Sequence, residues 1–150
     1  MIELDKINNR ILHELVKDGR VTNAELAERV GLSPSACLRR VQELERSGVI
    51  TGYRAVLDRA ALGIGFTAYI AVGLSSHTAE AQHAFEGSIV KSPEVRECHN
   101  ITGAFEYLLR VETTDLAAYK VFHTDVLGTL PQVSTITTHV LMESVKDERA

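Results

Sequence analysis

The sequence predicts an α+β protein of two domains, an N-terminal (winged) helix-turn-helix domain followed by a ferredoxin-like βαββαβ sandwich. Helix-start and helix-stop signals recur up to Gly48. Short β-rich runs then alternate with two helical segments in the order β-α-β-β-α-β. The predicted domains span residues 1–58 and 66–150, and the Gly-Ile-Gly at 63–65 marks a hinge over 59–65.

Composition indicates a globular chain without a membrane segment. Of the 150 residues, 45% are hydrophobic and 24% are charged, which is typical of soluble globular proteins. No apolar run reaches the roughly 20 residues that span a bilayer, and the N-terminal MIELDK has no signal-peptide features. We therefore expect a cytoplasmic protein. Cys37 and Cys98 form no CxxC motif, so we expect two buried, reduced thiols.

The formal net charge of −4 is distributed unevenly along the chain. Residues 1–59 carry ten Lys/Arg against nine Asp/Glu, a net charge of +1. Residues 60–150 carry six against eleven, a net charge of −5. The N-terminal part is therefore the one that can approach a polyanion such as nucleic acid.

Caps and apolar spacing predict three helices in the N-terminal domain. The first begins near Asp5, and the second runs from the capping box of Thr22 and Glu25 to Gly31. The third begins at the N-cap Ser33 and ends at Gly48. The predicted buried sides of the first two helices are Leu4, Ile7, Ile11, Leu12 and Leu15, and Leu26, Ala27 and Val30.

The third helix separates apolar from basic side chains. At about 100° per residue, its apolar side is formed by Cys37, Val41 and Leu44. Its opposite side is formed by Ser35, Arg39, Gln42 and Arg46, with Arg40 at the edge of the apolar stripe.

A short helix, a tight turn and an outward basic helix predict a helix-turn-helix over about 23–42. We expect double-stranded DNA as the partner, because a helix fits the major groove and Arg and Gln can bond purine edges. Arg39 and Gln42 are expected to read bases, and Ser33, Ser35, Arg40 and Arg46 to position phosphates. A merely solvated face, with pairs such as Arg39–Glu43, is the alternative, and the helix pattern alone does not decide between them.

The segment after Gly48 changes to a β-rich pattern. The run VITGYRAVLD at 49–58 predicts a strand or wing, and Asp58 is placed to cap a short helical turn.

The C-terminal domain alternates strands and helices. Strands are predicted at 66–74, 95–102, 106–113 and 133–145, with helices at 79–90 and after Asp115. The predicted buried sides of the helices are Ala81, Ala84, Phe85 and Ile89, and Leu116, Tyr119, Phe122 and Val126. Because the first strand is apolar on both faces, we expect a second copy to cover the sheet face opposite the helices.

Longer motifs carry a family resemblance over nearly the whole chain. They are LDKINNRILHEL, DGRVTNAELAERVGLSPSACLRRVQELERSGVITGY, VRECHNITGAFEYLLRV and HVLMESVK. The chain resembles the Lrp/AsnC (leucine-responsive/asparagine, feast/famine) transcriptional regulators, nearest the leucine-responsive branch. The resemblance implies a RAM-type amino-acid-binding C-terminal domain and homodimers assembled into tetramers or octamers. It implies a free amino acid as effector, and we expect no cofactor.

The resemblance also places the effector beside a turn with the pattern Gly-x-x-Asp. In this sequence the turn is Gly103-Ala104-Phe105-Glu106, so Glu106 stands where Asp is usual. The implied effector-binding residues are His99, Ile101, Thr102, Gly103 and Glu106, with Thr135 and Thr137 as weaker candidates. A tight hairpin for Gly103 and a loop-stabilising carboxylate for Glu106 are the alternatives.

Other classes of function find little support in the sequence. Cys98 and His99 are adjacent on a predicted strand and point to opposite faces, so we expect no metal site. The sequence has no phosphate-binding glycine loop and no nucleophile elbow, and we expect no catalytic residues and no enzyme. The remaining alternative is an amino-acid-binding assembly module without DNA function.

Overall fold

The computed structural model describes residues 4–147, so the first and last three residues of the predicted domains lie outside it. The chain divides into two compact units between Ala55 and Val56. Each unit has its own hydrophobic core.

The N-terminal unit contains the three predicted helices, α1 (Lys6–Lys17), α2 (Asn23–Val30) and α3 (Pro34–Arg46). Each predicted N-cap is confirmed. Asp5 Oδ1 accepts from the Asn8 amide at 2.7 Å, and Thr22 and Glu25 form the reciprocal capping box. The Ser33 hydroxyl accepts from the Ala36 amide at 3.3 Å. These caps satisfy amides that have no partner within the helix and so fix where each helix begins.

The core of this unit lies where the three helices meet. Its buried side chains are Ile11, Leu26, Ala27, Val30, Cys37 and Leu44. Leu4 was expected in this core, but it precedes the Asp5 cap and is exposed. Gly31 ends α2 in the left-handed conformation, with φ of +75°.

The predicted strand or wing at 49–58 is wrong as a strand, since residues 51–58 have no regular structure. The first part of the segment is instead held by contacts with the end of α3. The Ile50 amide donates to the Leu44 carbonyl at 3.0 Å, and the Tyr53 hydroxyl donates to Glu45 at 2.9 Å. A β-rich run needs a neighbouring strand to complete its hydrogen bonds. Asp58 caps the following turn as expected, accepting from the Ala61 amide at 3.1 Å.

The C-terminal unit has the predicted βαββαβ order. Its elements are β1 (Phe66–Leu74), α4 (Ala79–Ile89), β2 (Val95–Asn100), β3 (Tyr107–Thr113), α5 (Leu116–Asp125), a 3-10 turn (Leu127–Thr129) and β4 (Val133–Val140). The sheet order is β2-β3-β1-β4, and all three strand pairs are antiparallel. Three strands are shorter than predicted, since β2 ends at Asn100, β3 begins at Tyr107 and β4 ends at Val140.

Helices α4 and α5 pack on one face of the sheet. The core beneath them includes Ile70, Val72, Leu109 and Val111 from the central strands, and Phe85, Ile89, Tyr119 and Phe122 from the helices. Ala84 and Leu116 were expected to be buried and are exposed. Cys98 was also expected to be buried, but it lies on the edge strand β2 and is exposed.

We call the opposite side of the sheet the open face. Strand alternation and register assign to it Thr67, Tyr69, Ala71 and Gly73 of β1, Leu108, Arg110 and Glu112 of β3, Glu97 and His99 of β2, and Thr135, Thr137 and His139 of β4. This face mixes apolar, polar and charged groups, so it is more polar than β1 alone indicates.

Candidate nucleic-acid interface and effector site

The outward face of α3 presents polar and basic side chains. Ser33, Ser35, Arg39, Gln42 and Arg46 are all exposed. Within residues 4–147, neither the Arg39 nor the Gln42 side chain forms a hydrogen bond or ion pair. Both side chains are therefore available to an outside partner, and the Arg39–Glu43 pair of the solvated-face alternative is not formed within the described residues.

The acidic side chains of α3 have other partners. Glu43 is paired with Arg46, and Glu45 accepts from the Tyr53 hydroxyl. Desolvation, together with the smaller effect of the contact with Glu45, raises the pKa of Tyr53 to about 12. Arg39 is therefore left as the uncompensated positive charge of the outward face.

Arg40 is held at the start of α1. Its guanidinium donates to Asp5 at 2.7 Å and to Asn8 at 2.9 Å, and its side chain is 30% exposed. The hydrogen bond from the Asn8 amide, followed by that from Arg40, holds the pKa of Asp5 below its ordinary value. Arg40 thus links α3 to the N-cap of α1.

The turn proposed for the effector joins β2 to β3. The Ile101 amide donates to the Glu106 carbonyl at 2.8 Å, and residues 101–104 are exposed. Gly103 has a φ of +121°, which side chains other than hydrogen rarely permit. A Cβ there would meet nothing within 4 Å, so the backbone conformation, and not crowding, requires glycine.

Glu106 ties this turn to the end of β1. One carboxylate oxygen accepts from the Leu74 amide at 2.7 Å, and the other lies 2.8 Å from Nδ1 of His77. The Glu106 side chain is 16% exposed, whereas that of His77 is 78% exposed. Sequence reasoning missed His77, because only the fold brings the loop after β1 beside the turn.

The register separates the weaker effector candidates from the turn. His99 pairs with Leu108, Leu108 with Ala71, and Ala71 with Thr137, so His99 and Thr137 lie at opposite edges of one row. Three strand spacings of about 4.8 Å put them roughly 14 Å apart. Thr135 likewise pairs with Gly73, on the β4 side of β1. Within one chain, Thr135 and Thr137 do not join the Gly103 turn.

The sheet also contains a charge cluster that sequence reasoning missed. Arg110 is 5% exposed, and its guanidinium donates to Glu97 at 3.4 Å and forms ion pairs with Glu112 at 2.9 Å and Asp147 at 3.7 Å. The Glu112 side chain is 3% exposed and also accepts from Arg59 at 2.6 Å. The available signal was the i, i+2 spacing of Arg110 and Glu112 in a predicted strand, which places both charges on one face.

Neither a metal-binding cluster nor a membrane-spanning helix is present in residues 4–147. No group of three or more His, Cys, Asp or Glu side chains is arranged to hold a metal ion. No helix in that range is both long and apolar enough to cross a membrane.

Family comparisons agree with both halves of this geometry. A family described as winged helix-turn-helix DNA-binding matches residues 4–51, and the Lrp/AsnC ligand binding domain matches residues 67–150. The leucine-responsive regulatory protein of Salmonella typhimurium is 41% identical over 144 residues, covering 96% of this chain and 88% of that protein.

Two solved structures show the same fold. A transcriptional regulator from Neisseria meningitidis in complex with L-methionine is 37% identical, with a TM-score of 0.93 over 97% of this chain and 94% of its own. A feast or famine regulatory protein from M. tuberculosis complexed with L-methionine is 29% identical, with a TM-score of 0.83 over 99% and 98% of the two chains. The helix-turn-helix, the four-stranded sheet and these matches together show that the chain belongs to the Lrp/AsnC family of transcriptional regulators.

Proposed function

We propose that this regulator binds double-stranded DNA through the outward face of α3 and that an amino acid bound near the Gly103 turn changes its DNA affinity or assembly. The observation that carries the DNA part is the exposed, unpaired state of Arg39 and Gln42 on a helix fixed by the Ser33 cap. Side chains of this kind can bond base edges in the major groove without first breaking internal contacts.

The contacts that the α3 residues make within the chain indicate which role each can take on DNA. We assign base reading to Arg39 and Gln42, and phosphate contact to Ser33, Ser35 and Arg46. Arg40 already donates to Asp5 and Asn8. We therefore assign it chiefly to positioning α3, with any phosphate contact made by its remaining N–H groups.

The effector part of the proposal rests on the Gly103 turn. Two relatives of known structure are complexed with L-methionine, and curated relatives are named for leucine. We infer that the ammonium of an amino acid displaces the exposed His77 from Glu106, since this carboxylate oxygen is the one not bonded to a backbone amide. His99, Ile101 and Thr102 would complete this side of the site.

A second copy of the chain is part of the proposal. Nε of Arg110 is buried and has no hydrogen-bond acceptor within residues 4–147. A copy covering the open face could supply one, and another interface could bring Thr135 and Thr137 to a turn that they do not reach in their own chain. A dimer, or a tetramer or octamer assembled from dimers, presents pairs of α3 helices to half-sites about 34–36 Å apart. Because the target is the genome, we extend the proposal to a cytoplasmic location.

The test is fluorescence anisotropy with DNA from upstream of the protein's own gene and with pooled genomic fragments. Salt is varied, and L-leucine, L-methionine and a panel of other amino acids are added in turn. We expect sub-micromolar binding that weakens steeply with salt, because phosphate contacts release counterions. An amino acid that shifts the affinity would identify the effector. Amino-acid binding without salt-sensitive DNA binding would instead support the assembly module.

A further inference from the structure

The segment that leads from the DNA-binding unit into the sheet is fastened at two points. Nε of Arg59 donates to Glu112 Oε1 at 2.6 Å. The Gly65 amide lies 3.2 Å from the Thr113 carbonyl and 3.1 Å from that of Thr114. Between these points, the amides of residues 62–64 bond back to carbonyls of residues 58–60. Residues 58–65 therefore lie against the end of β3, and the predicted hinge at 59–65 includes both fastenings.

The acceptor in the first fastening is buried among cationic side chains. The Glu112 side chain is only 3% exposed and also forms ion pairs with Arg110 at 2.9 Å and Arg96 at 3.8 Å. Arg59 is 32% exposed, so it is the member of the cluster that can leave into water. Its departure leaves Glu112 with two other cationic neighbours, which lowers the electrostatic cost of opening.

We propose that the Arg59–Glu112 pair is a clasp that sets the length of the tether between the DNA-binding unit and the sheet. With the clasp closed, the irregular tether is residues 51–57, which span at most about 25 Å. With it open, the turn at 58–64 can leave the end of β3, and when its own hydrogen bonds also open the chain is free from 51 to 64, for at most about 50 Å, because the next fastening is at Gly65. This role of the clasp rests on the proposed function, because the tether length affects binding only when two α3 helices must reach two half-sites on DNA.

Tether length has a calculable effect on binding to paired sites. The effective concentration of a linked binding unit falls roughly as the −3/2 power of the linker length, so doubling the tether lowers it about threefold. A longer tether also tolerates half-sites at unfavourable separations. Opening the clasp should therefore broaden the preferred spacing while leaving the affinity for one half-site unchanged.

The first test is amide hydrogen exchange on the full chain without DNA. In Arg59→Gln, the amides of Leu62, Gly63 and Ile64 should exchange about tenfold faster, equivalent to about 1.4 kcal/mol of local stability. Arg54→Gln is the matched control, because Arg54 is exposed and has no ion pair within residues 4–147. Unchanged exchange in Arg59→Gln, with the sheet amides still protected, would overturn the clasp whether or not the protein binds DNA.

The second test measures affinity for paired half-sites, taken from DNA selected with the wild-type protein and separated by increasing numbers of base pairs. Arg59→Gln should lose about threefold at the preferred spacing and less at the others, and Arg54→Gln should keep the wild-type profile. Faster exchange with an unchanged spacing profile would show that the clasp exists and would overturn the proposal that it sets the tether length. If the wild type binds no DNA, the proposed function fails and the exchange result still decides whether the clasp exists.

Discussion

The outward face of α3 and the open face of the sheet both contain arginines, but within residues 4–147 the charge of Arg39 on α3 is unpaired and that of Arg110 on the sheet is paired with carboxylates. On α3, Arg39 is exposed and has no partner within the described part of the chain. On the sheet, Arg110 is 5% exposed and is surrounded by the carboxylates of Glu97, Glu112 and Asp147. The first arrangement leaves charge for a polyanion, whereas the second neutralises charge within the chain.

This difference indicates what each face can bind. A helix with uncompensated guanidinium attracts phosphate and can bond base edges. A sheet with internally paired charges has little long-range attraction, so it suits short-range contact with a surface of similar polarity, such as a second copy. Net charge alone misses this distinction, because the chain as a whole carries −4.

The largest expected effect comes from removing the buried cation. Arg110→Met leaves the carboxylates of Glu112 and Glu97 without their shared partner in a poorly hydrated site. Loss of one member of a buried pair typically costs about 3–5 kcal/mol. Denaturant unfolding at constant protein concentration should show this decrease in the free energy of unfolding. A decrease below about 1 kcal/mol would mean that the cluster behaves as a surface network.

The converse change on α3 should spare stability and weaken DNA binding. Arg39→Ala should cost about 1–3 kcal/mol on the preferred DNA sequence, the value of one bidentate base contact. Its free energy of unfolding should change by no more than about 0.5 kcal/mol, as for other exposed sites. Arg46→Ala is the contrasting variant, and we expect it to weaken binding to all sequences and to lower the salt slope by about one. Normal operator binding by Arg39→Ala would contradict the assignment of Arg39.

Arg40 lies between these two extremes, and its effect should depend on pH. Its partner Asp5 has a lowered pKa, so the contact stabilises the folded unit above the ordinary Asp value of 3.8. That contribution is lost as the pH falls through the lowered pKa. Arg40→Met should therefore be less stable than the wild type near neutral pH, by less than Arg110→Met, and the difference should narrow in acid. A difference that stayed constant from pH 7 to pH 2 would exclude Asp5 as its source.

Local signals predicted the N-terminal helices well. Asp5, Thr22 and Ser33 each act on amides within three residues, so sequence spacing is enough to place them. The strand expected at 49–58 failed because strand formation depends on a partner elsewhere in the chain. Exposure of Cys98 follows from the edge position of β2, which the strand order decides.

In the candidate sites too, the sequence predicted the features set by local spacing and missed the contacts between distant residues. Periodicity placed Arg39 and Gln42 on the outward face of α3, where the structure has them. It could not show that Arg40 bonds Asp5, because that contact joins residues 35 positions apart. The Arg59–Glu112 pair spans 53 positions and depends on the complete sheet. Contacts over such separations leave no periodic trace in the sequence.

The two fastenings of residues 58–65 differ in how they can change by mutation. At Gly65, a Cβ would lie 2.5 Å from the Thr114 carbonyl oxygen, so any side chain there would displace backbone. At position 59, substitution alters a partly exposed side chain and leaves the main chain in place. Descendants of this protein can therefore adjust the reach of their DNA-binding units through position 59 in single steps, while position 65 stays fixed by geometry.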